Sequence, residues 1–187
     1  MHEDLKSALD VLYKGGIILY PTETIWGLGC DATNEAAVKR VYEIKKRADS
    51  KSMLVLMENI NLLERYVAEV PEIAYSLIEV NDKPMTIIYP GAKNLAKNLI
   101  AEDGTVGIRI TSEEFTRELI RRFKKPIVST SANISGEKSP SFFAEISDEI
   151  KAAVDYVVNY RQEETVPAKP SSIIKLGLGG EIVILRE

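Results

Sequence analysis

Histidine and cysteine are almost missing from this chain. Its 187 residues contain one of each, His2 and Cys30. A lone histidine beside the N-terminus excludes a His-based triad, a histidine general base inside the fold and a histidine-rich metal site. A single cysteine cannot form an internal disulfide, so the cytoplasm is the expected location. With no histidine to activate it, Cys30 reads as a packing residue rather than a nucleophile. No apolar run approaches the ~18 residues that span a bilayer. The opening stretch, MHEDLKSALD, is charged and amphipathic, unlike a secretory signal. Two phosphate-binding signatures are also missing: there is no GxxxxGK[ST] and no strand-adjacent GxGxxG. Positive charge is in short supply, with 24 Lys and Arg against 28 Asp and Glu, a net charge of −4. Proteins that coat nucleic acid are basic, so the balance argues against that role while allowing a local basic site.

What is present is an ordinary globular mixture, 45% hydrophobic and 28% charged, at a length that suits one domain with a real core. The periodicity predicts helices over 4–14, 34–46, 113–123 and 142–152, with shorter ones near 60–67 and 71–80. Asn34 and Ser112 are the expected N-caps. Apolar runs at 16–20, 53–57, 85–89, 105–110, 126–130 and 155–159 read as strands, followed by a final pair, SSIIKL and EIVILR. Strands and helices interleave, and several strands follow one another without a helix between them. The expected architecture is therefore a single α/β domain over residues 1–187 with a mixed sheet of about eight strands.

Three polar loops leave the ends of apolar runs: YPTETIWGLG, KKRADSK and STSANISGEKSPS. Active sites of α/β folds collect where such loops converge above strand ends. Together they hold hydroxyls, the amide of Asn133 and the cations Lys45, Arg47 and Lys51, without an evident nucleophile–base pair. That inventory suits a reaction in which the protein positions and neutralises phosphates and the substrates bring the nucleophile, as in nucleotidyl transfer. Each loop also has a plainer reading. Cations at a helix C-terminus complement its dipole, SANISG is an ordinary polar turn, and Trp26 between glycines suits a loop anchor packed on the core.

The stretches YPTETIWGLGCDA, YEIKKRADSK and SANISGEKSPS, in this order, resemble the YrdC-like family of threonylcarbamoyl-AMP synthases, over about residues 17–186. The chain looks like the short form without an additional C-terminal domain. The resemblance implies a twisted mixed sheet flanked by helices, with a positively charged concave face. It implies synthesis of threonylcarbamoyl-AMP and pyrophosphate from L-threonine, bicarbonate and ATP. Mg²⁺ would arrive with ATP and no metal site would belong to the protein. The product would pass to threonylcarbamoyl-transferase proteins that modify tRNA.

Residue by residue, the resemblance gives Lys45 and Arg47 a catalytic role, with Arg47, Lys51, Ser131, Asn133, Ser139, Arg186 and, more weakly, Thr105 on the ATP side. Thr24, Leu56, Arg109, Ser129 and Ser171 fall on the threonine side, with Arg109 as partner of the substrate carboxylate. The sequence departs from the family pattern at Ala48, in SKSM, in NDKPMT and in AKPSSII, where a shift of one residue would substitute Ser172 for Ser171. Competing readings are an RNA-binding or ribosome-maturation module of the same fold, a non-synthase paralogue, and a carbamoyl-transfer domain of the hydrogenase-maturation type. The lone cysteine argues against the last, which carries zinc-binding cysteine clusters.

Overall fold

A computed structural model describes residues 1–46 and 53–187 of the chain. Among the described residues, nine strands form one sheet: β1 (Ile18–Tyr20), β2 (Gly27–Gly29), β3 (Leu54–Met57), β4 (Met85–Tyr89), β5 (Val106–Ile110), β6 (Ile127–Ser131), β7 (Tyr156–Val157), β8 (Ser172–Leu176) and β9 (Ile182–Arg186). They lie in the order β7-β1-β2-β6-β3-β5-β4-β8-β9. The β1–β7, β3–β5 and β4–β8 pairs are parallel and the others antiparallel, which makes the sheet mixed, as expected. The helices are α1 (His2–Tyr13), α2 (Glu35–Lys45), α3 (Leu63–Tyr66), α4 (Glu72–Val80), α5 (Glu114–Phe123) and α6 (Asp148–Ala153).

Local chemistry explains most boundaries. Asn34 caps α2 by accepting from Ala37 N at 3.1 Å. The buried stripe Ala37, Val38, Val41 and Tyr42 turns that helix onto the core. α1 buries Leu5, Ala8 and Leu12, and its end meets α5 through Tyr13 and Phe123, whose rings lie 5.1 Å apart. Cys30 is fully buried and hydrophobic packing pushes its thiol pKa well up, consistent with a residue that packs.

Three expectations need correction. The cap of α5 is Glu113, whose Oε2 accepts from Thr116 N at 2.7 Å, rather than Ser112. The helix expected over 142–152 is broken into a 3₁₀ turn, Phe143–Glu145, and α6, because Ile146 is extended and Ser147 starts a new helix by accepting from Ile150 N. The third concerns β2, a strand inside the stretch read as a loop. Gly-Leu-Gly has little strand propensity; neighbouring strands impose the conformation instead. β1 and β6 flank β2 so closely that a Cβ on Gly29 would lie 2.5 Å from the Tyr20 ring and 2.9 Å from the Val128 carbonyl.

Candidate active site

Strand register gathers the polar residues on one face. Cross-strand partners share a face, and so do residues two apart on a strand. Gly27 pairs with Ser131, Leu54 with Ser129, and Leu56 with Arg109. Ile88 pairs with Gly107, Thr86 with Ile173, and Ile173 with Arg186. This one row crosses β2, β6, β3, β5, β4, β8 and β9. Above it lies a cavity of about 280 Å³, lined by Thr24, Thr105, Arg109, Ser129, Ser131, Ser139, Ser171 and Arg186, with Trp26, Met53, Leu54 and Ile88 as apolar wall. Eight residues singled out in the sequence thus meet in one cavity.

The hydrogen bonds assign directions to several of these groups. Thr22 Oγ1 donates to the Ile25 carbonyl at 2.8 Å and accepts from Thr24 N at 3.0 Å. Its only proton being committed, the 2.9 Å contact between the two hydroxyls must be a bond donated by Thr24. Thr24 therefore offers the cavity lone pairs and no proton. Ser171 Oγ lies 2.8 Å from Thr86 Oγ1, and its carbonyl accepts from Arg186 Nε at 2.8 Å. Between Ser171 and Ser172, the cavity takes Ser171; Ser172 Oγ instead donates to the Pro84 carbonyl. Thr105 is held by Asp103 Oδ1, which accepts from its Oγ1 at 2.6 Å and its N at 3.1 Å.

Charge is concentrated at Arg109 and Arg186. Arg109 has a side chain only 4% exposed and pairs with Glu23 at 2.8 Å. Burial, and then the like charge of Arg109, lower the pKa of Arg186. Both guanidinium groups line the same cavity, a wall suited to anionic groups.

Not every expected residue lines the cavity. Leu56 is fully buried in β3 beneath it. Lys45 ends α2 with 1% exposure and donates through Nζ to the carbonyls of Ser131 (2.6 Å) and Asn133 (2.7 Å). Ser135 N returns a bond to the Lys45 carbonyl. Lys45 thus fastens the loop after β6 to α2, and its placement differs from that of a cation lying against the cavity. Asn133 organises the same loop, donating to the carbonyls of Ile134 and Glu137 and accepting from Ser139 Oγ at 3.5 Å. Arg47 and Lys51 lie outside the described residues. Lys46, between Lys45 and Arg47, turns outward to Glu149 at 2.9 Å.

Sequence reasoning missed Glu23 and Thr86. Glu23 acts on Arg109, and Thr86 lines the cavity with its hydroxyl beside that of Ser171. The one available signal for Glu23 was a carboxylate flanked by two threonines in a loop, which is uninformative until β5 is known to bring Arg109 beside it.

Comparison with known proteins gives a consistent result. The Sua5/YciO/YrdC model, whose description is "Telomere recombination", matches residues 10–187. A threonylcarbamoyl-AMP synthase of Pseudoalteromonas translucida (strain TAC 125) is 34% identical over 158 residues, covering 83% of this chain and 84% of that protein. The crystal structure of P. abyssi Sua5 complexed with L-threonine superposes with a TM-score of 0.85 at 26% identity; the match covers 97% of this chain but only 53% of that one. E. coli YciO gives the same TM-score and identity over all of this chain and 90% of its own.

Proposed function

We infer the activity from a plain premise: the chain belongs to the Sua5/YciO/YrdC family. It is an L-threonylcarbamoyladenylate synthase, a nucleotidyltransferase acting on L-threonine, bicarbonate and ATP. The observation that carries this reading is the gathering of Thr24, Ser129, Ser171 and Arg109 with Thr105, Ser131, Ser139 and Arg186 around one cavity. The first group suits a hydroxy amino acid and the second suits nucleotide oxygens. An RNA-binding module of the same fold would leave the first group without a use.

Arg109 receives the substrate carboxylate, since a guanidinium grips it with two parallel N–H bonds. Thr24 Oγ1 accepts a hydrogen bond from the substrate hydroxyl, because its own proton is committed to Thr22. The threonine amine adds to bicarbonate with loss of water, giving a carbamate. A carbamate oxygen then attacks the α-phosphorus of ATP and pyrophosphate leaves. Negative charge must be neutralised along the triphosphate during that step, a task for Arg186 and for Arg47 and Lys51. Lys45 contributes by holding the Ser131–Asn133 backbone in position. The described cavity wall offers hydroxyls and guanidinium groups, a donor set for phosphate oxygens. Mg²⁺ would arrive with the nucleotide and offset charge on its phosphates. The carbamoyl adenylate is an activated group donor that tRNA-modifying threonylcarbamoyl-transferase proteins would consume.

The test is incubation with ATP, threonine and bicarbonate. Pyrophosphate release that depends on all three, with the carbamoyl adenylate seen by mass spectrometry, is the expected result. Release independent of threonine would overturn the reading.

A further inference from the structure

Glu23 is a carboxylate with little access to solvent, its side chain 10% exposed, in the loop between β1 and β2. Its Oε1 lies 2.8 Å from Arg109 Nε. Its Oε2 accepts from Thr111 Oγ1 at 2.8 Å, and Thr111 is itself an extension of β5, donating through its N to the Met57 carbonyl. Neither Glu23 Oε1 nor Arg109 Nε has an aligned hydrogen bond. The contact is thus an ion pair on one edge of the guanidinium, not a fork closed on both oxygens.

The charge of Glu23 is immobile because the backbone around it is tied on several sides. Thr116 Oγ1 of α5 donates to the Pro21 carbonyl at 2.9 Å. Arg161 Nη1 donates to the Thr22 carbonyl at 3.1 Å. The Thr22–Thr24 bonds lock the following turn. A long, flexible side chain such as arginine needs an outside constraint to present its fork in one direction. A buried guanidinium also needs a counter-charge when no anion is bound. Glu23 meets both needs. It draws the Nε edge toward the loop while Arg109 remains part of the cavity wall.

We propose that Glu23 is a positioning residue that aims Arg109 at the substrate carboxylate. The proposal rests on the threonine-binding reading above and assigns Glu23 no contact with substrate. A misplaced binding group commonly reduces a site's effectiveness ~10²-fold. Glu23→Gln, which keeps the shape and removes the charge, should therefore raise the threonine KM and the calorimetric threonine Kd by roughly ten- to a hundredfold, with the ATP KM unchanged. In an Arg109→Lys background, which has no fork to aim, Glu23→Gln should add little. Glu23→Asp, which retains the charge on a shorter stem, should recover part of the loss. Equal rises in both KM values, an unchanged threonine Kd, or full additivity with Arg109→Lys would overturn the proposal. Arg109→Ala separates the two levels. If it abolishes threonine binding while Glu23→Gln does not affect it, Glu23 is not the aiming residue and the carboxylate assignment stands. If Arg109→Ala leaves threonine binding intact, both fall together.

Discussion

Neighbouring cations in a single tripeptide have opposite environments. Lys45 is buried against two carbonyls, whereas Lys46 reaches solvent and Glu149. Replacing Lys45 by Met removes both bonds and leaves the Ser131 and Asn133 carbonyls short of a donor, at about 1–3 kcal/mol for a group so deprived. The melting temperature should fall and activity with it, because the displaced loop carries Ser131 and Ser139. Lys46→Ala should keep near-normal melting and near-normal pyrophosphate release. Equal effects of the two variants would reverse the assignment. Thr24 supports a second prediction at this scale. A site whose acceptor is matched to a substrate hydroxyl rejects the analogue lacking it by roughly 10⁴-fold, since its own group is left unpaired. Valine should be a very poor substrate and serine an intermediate one, measured by pyrophosphate release. Comparable rates for valine and threonine would remove Thr24 and Ser171 from that role.

Among the elements, those whose signals are local were legible in the sequence. Asn34 marks the start of α2, the apolar runs mark β3 to β6, and the strand ends mark where the polar loops converge. β2 was not legible, because Gly27, Leu28 and Gly29 form a strand only through the close approach of β1 and β6. The helical period places Lys45 on the inward stripe of Val38 and Val41 and turns Lys46 away, but the carbonyls that Lys45 meets were hidden until the loop after β6 is seen to lie against α2. Glu23 was hidden because its partner stands 86 positions away in the chain, at Arg109. Three substitutions test this account of the elements. Gly29→Ala introduces a Cβ against the Tyr20 ring and the Val128 carbonyl, and overpacking of this kind costs about 1–3 kcal/mol. Glu113→Ala removes the cap of α5 and should cost about 1 kcal/mol, whereas Ser112→Ala should be nearly silent. Thermal melting distinguishes all three. A larger loss from Ser112→Ala than from Glu113→Ala would contradict the observed cap.

At the scale of the whole molecule, carboxylates tie together segments that are distant in sequence. Asp103, in the turn before β5, pairs with Lys175 of β8 at 2.8 Å and also holds Thr105. Its bonds to Lys175 and Thr105 depress its pKa to about 2. Asp155 pairs with Arg40 of α2 and accepts from Ile17 N at 2.7 Å before β1, and the Arg40 bond lowers its pKa as well. An unfolded aspartate titrates near ~3.9. A group whose folded pKa lies below that value contributes its stabilisation in full above the unfolded pKa, and loses it as pH falls through the folded one. The melting temperature should therefore hold on the neutral side of about pH 4 and decline as the pH drops toward about 2, the window between the unfolded and folded values of Asp103. Asp103→Asn should lower the plateau and flatten this acid limb, because its carboxylate no longer titrates. Its effect should extend to the cavity, since Thr105 loses an ionised acceptor. Glu118 also has a pKa near 2, set by Arg121 and Arg122, but its bonds stay within one turn of one helix and tie no distant segments together. Glu118→Gln should therefore leave the acid limb much closer to wild type than Asp103→Asn does. Melting curves from pH 2 to 7 for the wild type and the two variants provide the check. An acid limb carried by Glu118, or one unaffected by Asp103→Asn, would show that these long-range carboxylate ties do not set the acid stability of the fold.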